Sequence, residues 1–351
     1  MERYLGADVH AASVTFSVLD ASGKQIRRDV VETNGKALVG YLQQLAGNLH
    51  LCLEEGEWSQ WLYEILSPHV AELVVYRGEW KPGLKSDAID AHGLAEKLRT
   101  GRIDRPVFKD ARLFTALRDR ARTYTMLTRD VARVKSRLKS FFRARGLPCT
   151  GEALFKAAER VKRAEALPLA TREAVDLVGR ELEQLAALKA EAETSMLRES
   201  HRHPIARVLE TAPGFGPVRV AQLLPIVVTP HRFRTKRQFW AYCGFAVVTR
   251  SSSDWVQEQG RWVKTRVAQT RGLNFNHNRM LKAIFKGAAT TVIAHCGPNP
   301  LRQGYDRQLA NGTRPNLAKL TVARQIAAIV LAMWKTQEVY DPGRGPELAR
   351  R

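Results

Sequence analysis

The sequence predicts an α/β domain at the N-terminus, a long helical segment after it and a mainly α-helical C-terminal region. Two observations lead to this prediction. Short apolar runs with strand-like spacing alternate with helical patterns over the first hundred residues, and longer stretches with three- and four-residue apolar spacing follow. The charge also changes, since residues 1–100 carry 14 acidic and 10 basic side chains and the remainder carries 21 and 46. The predicted domains are residues 1–107, 108–200 and 201–351.

The N-terminal region opens with three apolar or alternating runs. They predict a meander of strands at Tyr4–Val9, Ser13–Leu19 and Gln25–Val31. The elements predicted after the meander are a helix at Lys36–Leu45, a strand at His50–Leu53, a helix at Trp58–Leu66, a strand at Glu72–Tyr76 and a helix at Asp87–Leu98. Three strands followed by alternating helices and strands are typical of an RNase H-like, or RuvC-like, domain.

The middle of the chain predicts two long antiparallel helices, at Arg112–Arg145 and Arg172–Arg198, which would form a coiled-coil arm. Residues 101–150 hold 14 basic and 4 acidic side chains, so the first helix could contact nucleic acid. Residues 151–200 are nearly balanced, so the second helix could serve oligomerisation. Two solvated helices with no partner are the plain alternative.

The C-terminal region predicts a helix-hairpin-helix element. The turn Ala212–Pro217 joins helical segments at Ile205–Glu210 and Val218–Leu224. Gly214 and Gly216 would let backbone N–H groups at a helix N-terminus approach a phosphate. An ordinary turn between helices is the alternative. Nearby basic residues favour nucleic-acid contact; the candidates are Arg232, Arg234, Lys236, Arg237, Arg250 and Arg261. Further helices are predicted at Asn274–Ala288 and Leu317–Trp334.

The net charge of +21 indicates a polyanionic partner, and nucleic acid fits it best. No apolar run of spanning length and no secretory leader is evident, so no membrane partner is expected. The four cysteines are scattered without metal-ligand spacing, which favours reduced thiols in a cytoplasmic protein.

Four carboxylates suggest a divalent-metal site that acts on phosphodiesters. Asp8 and Glu54 end apolar strand-like runs, and Asp87 and Asp90 share one face of the helix that they open. Mg²⁺ chemistry on phosphates needs several hard oxygen ligands at one point. Each residue also has an ordinary interpretation. Asp8 could be a turn residue, Glu55 competes with Glu54, and Asp87 and Asp90 could be the N-cap and N3 residues of a capping box.

A serine run, Ser251–Ser253, lies in the most basic part of the chain. Such a run is usually a flexible loop. A serine hydroxyl could instead attack phosphorus if a metal or base activated it and arginines neutralised the phosphate.

Several of these segments together resemble the IS110-type transposases (IS110/IS1111 group, DEDD recombinases), along nearly the whole chain. The similar segments are Gly6–His10, Leu51–Glu54, Lys85–Ala91 with the pattern K-[ST]-D-x-x-D-A, Pro213–Pro217 and Trp240–Phe245. The resemblance implies a RuvC-like centre in which Asp8, Glu54, Asp87 and Asp90 hold Mg²⁺, with Mn²⁺ as a substitute.

The resemblance also implies a serine nucleophile that forms a phosphoserine link to DNA. The family pattern places this serine eight residues after the glycine of an A-x-x-G-[LF] segment, and counting from Gly244 gives Ser252. Two positions depart from the pattern: Val247 replaces the usual Pro, and Ser253 replaces the usual Gly. Ser251 and Ser253 therefore remain alternatives.

The expected function is that of an insertion-sequence recombinase acting on double-stranded DNA at element ends and target. The resemblance adds an element-encoded guide RNA, a homo-oligomer (dimer or tetramer) and a bacterial or archaeal, nucleoid-associated setting. Two other functions remain open. One is a RuvC-like nuclease or junction resolvase that uses activated water, and the other is a non-catalytic nucleic-acid-binding protein on an RNase H scaffold.

Overall fold

A mixed five-stranded β-sheet organises the first part of the chain. The structure is a computed structural model that describes residues 1–76, 86–103, 112–252, 255–264 and 268–343, with the backbone alone at residues 112, 249–252, 264 and 268–271. The strands are β1 (Glu2–Val9), β2 (Ser13–Asp20), β3 (Gln25–Glu32), β4 (Asn48–Glu54) and β5 (Glu72–Tyr76). Their order is β3-β2-β1-β4-β5; β1, β2 and β3 form an antiparallel meander, and β4 and β5 run parallel to β1.

Helices cover both faces of this sheet. They are α1 (Gly35–Gln43), α2 (Ser59–Leu66) and α3 (Asp87–Arg99). One face packs Leu5, Phe16 and Leu51 against α1 and α2. The other face carries Cys52 and Tyr76, which pack against α3. Every predicted element of this region is present, with ends shifted by at most two residues, and the arrangement is compatible with the predicted RNase H-like domain.

Gly6 lets helix α3 lie directly on the central strand. A β-carbon at position 6 would overlap the backbone carbonyl oxygen of Ala91 and lie 2.6 Å from the backbone nitrogen of Ala95. Both alanines are fully buried, so small side chains on the helix complete the close contact. This contact brings the first turn of α3 towards the end of β1.

A second interaction ties three parallel strands together at their amino ends. The ring of His50 in β4 bonds through Nε2 to Glu2 of β1 at 2.7 Å and through Nδ1 to Glu72 of β5 at 3.0 Å. The ring also stacks on Tyr4. Desolvation lowers the pKa of His50, but the hydrogen bonds and charges of the two carboxylates outweigh it, and the net pKa is raised.

The second part of the chain begins with a pair of long antiparallel helices. The helices here are α4 (Thr115–Arg143), α5 (Ala157–Ala164) and α6 (Leu169–Ser200). Ion pairs join Arg120 to Glu199 and Arg137 to Glu181, which fixes the antiparallel direction of α4 and α6. The far end of the pair has a core of its own, which includes Leu138, Phe142 and Leu182 together with residues of α5. The coiled-coil interpretation of this pair stays a prediction.

The remaining elements are helices that pack around a larger apolar core and four short strands, none of whose described residues belongs to that core. They are α7 (Pro204–Glu210), α8 (Pro217–Val227), α9 (Lys236–Tyr242), β6 (Val247–Ser252), β7 (Trp255–Glu258), β8 (Arg261–Lys264), β9 (Ala268–Leu273), α10 (Arg279–His295), α11 (Pro300–Ala310) and α12 (Pro315–Thr336). The core includes the near ends of α4 and α6. Residues Met1–Asp110 and Ala111–Arg351 form two compact units, and the predicted threefold division remains a prediction.

Helix α12 is the most apolar long helix among the described residues. It is long and apolar enough to cross a membrane, but 61% of its apolar window is buried within the protein. Ala323, Ile326 and Val330 are fully buried in the larger core. The helix is therefore read as a core helix.

Two sequence predictions for this unit need correction. Helix α10 begins at Arg279 and not at Asn274, because the side chain of Asn278 caps it by accepting the backbone N–H of Leu281. The sequence analysis also missed the strands between residues 247 and 273. They form two antiparallel pairs, β6 with β9 and β7 with β8. Ser251 and Ser252 therefore lie in a strand and not in a flexible loop.

We expect Gly6→Ala to lower the free energy of unfolding by roughly 1–3 kcal/mol, because the added methyl group overpacks the contact with α3. Gly93→Ala is the matched control on the same helix, since a β-carbon there has no neighbour within 4 Å. Alanine should improve the helix at position 93 by up to about 1 kcal/mol. Urea unfolding and hydrogen exchange of α3 amides measure both effects. Equal stability of the two variants would disprove the close contact.

His50→Gln should remove stability at acidic pH and little at alkaline pH. The raised pKa means that folding favours the protonated ring, so the stabilisation is present below the unfolded pKa of about 6.5 and is lost as pH rises through the folded pKa. The difference in unfolding free energy between wild type and variant should therefore shrink as pH rises from about 6 into the alkaline range. A difference that stays constant over this range would contradict the assignment.

Candidate metal centre

Asp8 lies at the carboxyl end of the central strand, on the face that α3 covers. Alternation along β1 places Asp8 on the same face as Gly6, whose contact with α3 brings the helix start close. Asp87 is the first residue of α3. The Asp8 side chain is 16% exposed and the Asp87 side chain 60% exposed, so one carboxylate is recessed and the other faces solvent.

His10 joins these two carboxylates, and the sequence analysis did not single it out. Its Nε2 lies 3.2 Å from Oδ2 of Asp8 and 3.4 Å from Oδ1 of Asp87. An ionised carboxylate only accepts hydrogen bonds, so the bond to an ionised Asp8 requires the His10 tautomer with a proton on Nε2. A histidine two residues beyond Asp8, in the turn that follows β1, was the available sequence signal.

The recessed position makes the negative charge of Asp8 costly. Burial raises the pKa of Asp8, the charge and hydrogen bond of His10 lower it, and the nearby charges of Asp87 and Asp90 raise it further; the net shift is upward. Asp90 is therefore close enough to act on Asp8 electrostatically, although its carboxylate is not part of the three-residue cluster.

The capping alternative for Asp87 and Asp90 is wrong. Ser86 is the N-cap of α3, and its hydroxyl accepts the backbone N–H of Ile89 at 3.3 Å. Asp87 and Asp90 lie in the first turn, where the helix dipole favours negative charge without requiring a capping bond. Neither carboxylate is thus needed as an N-cap. Lys85, which opens the K-[ST]-D-x-x-D-A segment, lies outside the described residues.

Glu54 lies at the end of the neighbouring strand but outside the cluster. Leu53 pairs with Ala7, so Glu54 takes the position beside Asp8 where the parallel ladder ends. Its side chain is exposed, and its carboxylate is not among the group that surrounds His10. Glu55 is also exposed, and its backbone nitrogen donates to Tyr76. The structure therefore brings Asp8 and Asp87 together. Asp90 and Glu54 lie outside the three-residue cluster of Asp8, His10 and Asp87. The choice between Glu54 and Glu55 stays open.

The cluster fits a divalent cation. Ligand atoms of Asp8, His10 and Asp87 all lie within 4.8 Å of one another, and this is the one such group among the residues that the structure describes. Carboxylate oxygens suit Mg²⁺, Ca²⁺ and Mn²⁺, while an imidazole nitrogen suits transition metals better. The raised pKa of the recessed Asp8 shows that its negative charge is unfavourable beside Asp87. A bound cation would neutralise that charge and stabilise the two carboxylates.

The two glycines of the predicted hairpin differ in their surroundings. Gly214 has φ +69°, and an added β-carbon would overlap the carbonyl oxygen of Ala288 in α10. Nη1 of Arg219 also donates to the Gly214 carbonyl at 2.6 Å. Gly214 thus packs against protein, whereas Gly216 is the N-cap of α8 and an added β-carbon there has no neighbour within 4 Å. Two helices, α7 and α8, are joined by this turn, and both the helix-hairpin-helix assignment and its phosphate-binding role stay predictions.

Four of the predicted basic residues, Arg232, Arg234, Lys236 and Arg237, lie in or just before the short helix α9. The Arg232 guanidinium lies over the rings of Phe233 and Tyr242 and donates to the carbonyl of Val227. Lys236 is half-buried, with its Nζ over the ring of Trp240. The exposed members of the predicted set are Arg232, Arg234, Arg237 and Arg261, and Arg250 is described by its backbone in β6.

The candidate nucleophiles lie at the end of β6. Ser252 is the last residue of the strand and pairs with Ala268, and Ser251 pairs with Gln269. Ser253 lies outside the described residues. Gly244, from which the register was counted, has φ +75° and packs against the His277 ring, so this glycine is fixed by backbone conformation and space.

Two family descriptions match separate parts of the chain. Residues 5–144 match a transposase family, the DEDD transposases of IS110. Residues 206–306 match the family described as transposase IS116/IS110/IS902. The first match contains all four predicted carboxylates, and the second contains the serine run.

Curated relatives come from insertion elements. A protein of Sinorhizobium fredii named as transposase y4pF/y4sB is 24% identical over 294 residues, which is 80% of this chain and 69% of the relative. The 43.6 kDa protein of insertion element IS110 from Streptomyces coelicolor is 33% identical over 152 residues, 43% of this chain and 33% of the relative.

A third relative is the 44.8 kDa protein of insertion element IS116 from Streptomyces clavuligerus. It is 25% identical over 137 residues, 39% of this chain and 31% of the relative. Because both halves of the chain match transposase families of the same group, and relatives of this kind align with it, the chain belongs to the IS110 family of transposases.

Proposed function

We propose that this transposase cuts and rejoins DNA strands with two sets of residues, one in each compact unit. The first set is Asp8, Glu54, Asp87 and Asp90, which would hold Mg²⁺ or, in its place, Mn²⁺. The second is Ser252, which would be the nucleophile. The observation that supports the proposal most is the convergence of Asp8 and Asp87 on His10 at the junction of β1 and α3.

The acidic residues would orient and neutralise the scissile phosphate through the bound cation. A divalent cation polarises phosphate oxygens and stabilises the charge that develops on the attacked phosphate. Asp8 is recessed and would be the fixed ligand, whereas exposed Asp87, Asp90 and Glu54 can adjust when DNA arrives. His10 would give up its hydrogen bond to Asp8 if that carboxylate held a cation, and its Nε2, 3.4 Å from Asp87, could then move away from both carboxylates.

The serine step exchanges one ester bond for another. The Ser252 oxygen attacks phosphorus, the bond from phosphorus to one deoxyribose oxygen breaks, and the hydroxyl proton passes to solvent or to the departing oxygen. The phosphoserine ester keeps the phosphodiester bond energy, so attack by a second DNA hydroxyl would rejoin the strand without ATP. Exposed arginines near α9 would neutralise the phosphate backbone.

The partners proposed are double-stranded DNA, an element-encoded guide RNA and further copies of this chain as a dimer or tetramer. The strong basic excess after residue 100 supports nucleic acid. The guide RNA rests on the family resemblance, the oligomer also on the charge-balanced helix within residues 151–200, and the cytoplasmic location on the scattered cysteines. The proposed architecture is an RNase H-like catalytic domain, a coiled-coil arm and a C-terminal domain with a helix-hairpin-helix element.

A metal-dependent nuclease that uses activated water is the second candidate. The same carboxylate group supports it, because the cluster stands within the first unit and needs no serine. The two functions differ in one product: only serine attack leaves DNA covalently attached to protein.

Asp8→Asn should raise the thermal midpoint of the full chain in metal-free buffer, because a neutral amide relieves the burial and charge repulsion that raise the pKa of Asp8. The same variant should lose the increase in midpoint that Mg²⁺ or Mn²⁺ gives the wild type. Glu57→Gln, an exposed acid outside the cluster, is the control. Full metal-induced stabilisation in Asp8→Asn would remove Asp8 from the ligand set.

Asp87→Asn and Asp90→Asn should each abolish metal-dependent recombination and leave DNA binding within about twofold, since charge removal at a helix start costs only about 0.3–1 kcal/mol. Strand-exchange assays and filter binding measure the two properties. Glu54→Gln and Glu55→Gln, tested in parallel, show which glutamate belongs to the set. Recombination at the wild-type rate by either aspartate variant would be incompatible with the proposed ligands.

Ser252→Ala should eliminate covalent protein–DNA adducts on denaturing gels while metal-induced stabilisation stays unchanged. Only the hydroxyl is removed, and the carboxylates belong to the other unit. Ser251→Ala and Ser253→Ala serve as matched variants that test the register. Loss of adducts in one neighbour but not in Ser252→Ala would move the nucleophile by one residue. Strand exchange by the variant with all three serines replaced by alanine would rule out the serine mechanism and favour the metal-dependent nuclease.

A further inference from the structure

The hairpin of β7 and β8 presents two tryptophans on one of its faces. Gln257 pairs with Trp262, and Trp255 pairs with Lys264. Paired residues share a face, and residues two apart along a strand share it as well, so Trp255 and Trp262 lie on the same face in diagonal positions. The Cα atoms of diagonal neighbours on paired strands are about 7–8 Å apart, within reach of aromatic side chains.

These are the two most exposed tryptophans among the described residues. The Trp255 side chain is 56% exposed and the Trp262 side chain 65% exposed. The opposite face carries Val256 and Val263, which are exposed as well. A two-stranded hairpin has little stability of its own, and large exposed aromatic surface is unfavourable in water. Such a face is therefore expected to bind something that covers the indole rings.

The surrounding charge identifies the chemical class of the occupant. Residues 247–273 carry five basic side chains and two acidic ones. The strand register puts position 264, a lysine, on the tryptophan face opposite Trp255, whereas exposed Arg261 pairs with Glu258 on the other face of the hairpin. Flat aromatic rings within a basic segment suit unpaired nucleobases, since every base offers a face for stacking and its phosphate attracts the cations. A hydrophobic protein partner would not need the basic excess.

We propose that the β7–β8 hairpin is a stacking platform that holds unpaired bases of a DNA strand through Trp255 and Trp262. The choice of occupant rests on the proposed DNA-joining function, in which strands must separate before they are exchanged. The hairpin begins three residues after Ser252 in the sequence. The platform binds bases without reading their sequence and leaves the metal chemistry to the acidic residues.

The test measures binding of the full-length protein to a fluorescent oligo(dT) strand and to a duplex of equal length. The double variant W255A/W262A should bind the single strand about tenfold or more weakly than wild type and the duplex within about threefold. W255F/W262F should restore most of the single-strand affinity, because phenylalanine also stacks. V256A/V263A, on the opposite face, is the matched control and should bind like wild type.

Two further readouts separate stacking from other causes. The slope of log Kd against log salt should be the same in W255A/W262A and wild type, because no charge is removed. Photocrosslinking of wild-type protein to 5-iodouracil-containing oligo(dT) should map to Trp255 or Trp262. Crosslinks at other residues would overturn the proposal. So would an equal loss of affinity for the single strand in W255A/W262A and V256A/V263A.

A smaller oligomer in W255A/W262A with unchanged affinity for the single strand would also overturn the stacking proposal. The tryptophan face would then bind a second copy of the chain. Failure of serine catalysis would appear separately, as missing covalent adducts with normal single-strand binding. The hairpin inference and the proposed chemistry can therefore fail independently.

Discussion

The close contact between helix α3 and the central strand is the constraint on which the acidic site depends. Gly6 removes the side chain that would otherwise hold the helix away, and Ala91 and Ala95 remove the bulk on the helix side. The contact fixes both the depth and the direction of α3, so its first turn arrives at the end of β1. The approach of Asp87 to Asp8 thus follows from this backbone packing, and His10 lies against both carboxylates.

The site is built at a cost in electrostatic stability. Asp8 is recessed, its pKa is raised by burial and by the charges of Asp87 and Asp90, and only His10 offsets them. A protein selected for stability alone would replace this carboxylate with a neutral side chain. Raised carboxyl pKa values with specific charge neighbours are frequent at functional sites, and here the unfavourable charge coincides with the start of a helix and the end of a central strand.

Sequence patterns predicted the first unit well because its signals are local. Alternating and buried strand runs and helical spacing set the elements, and their order set the sheet. The cluster itself was predicted only in part. His10 was missed because a single histidine in a turn has no periodic pattern, and the capping role that was the ordinary alternative for Asp87 and Asp90 belongs to Ser86. Such details depend on distances between elements, which spacing along the chain does not encode.

The second unit shows where pattern reasoning fails. Gly214 and Gly216 look alike in the sequence, yet Gly214 fills a tight contact with α10 and Gly216 is open. The strands between residues 247 and 273 were missed because polar and apolar residues there do not alternate against a core; both faces of the β7–β8 hairpin are exposed.

The charge of each unit favours a charged partner, a cation for the carboxylates of the first unit and a polyanion for the basic excess of the second. Carboxylates that converge in the first unit destabilise it unless a cation joins them, and the cationic excess of the second unit has too few acidic side chains to balance it. A phosphate backbone with bound divalent cations satisfies both requirements at once.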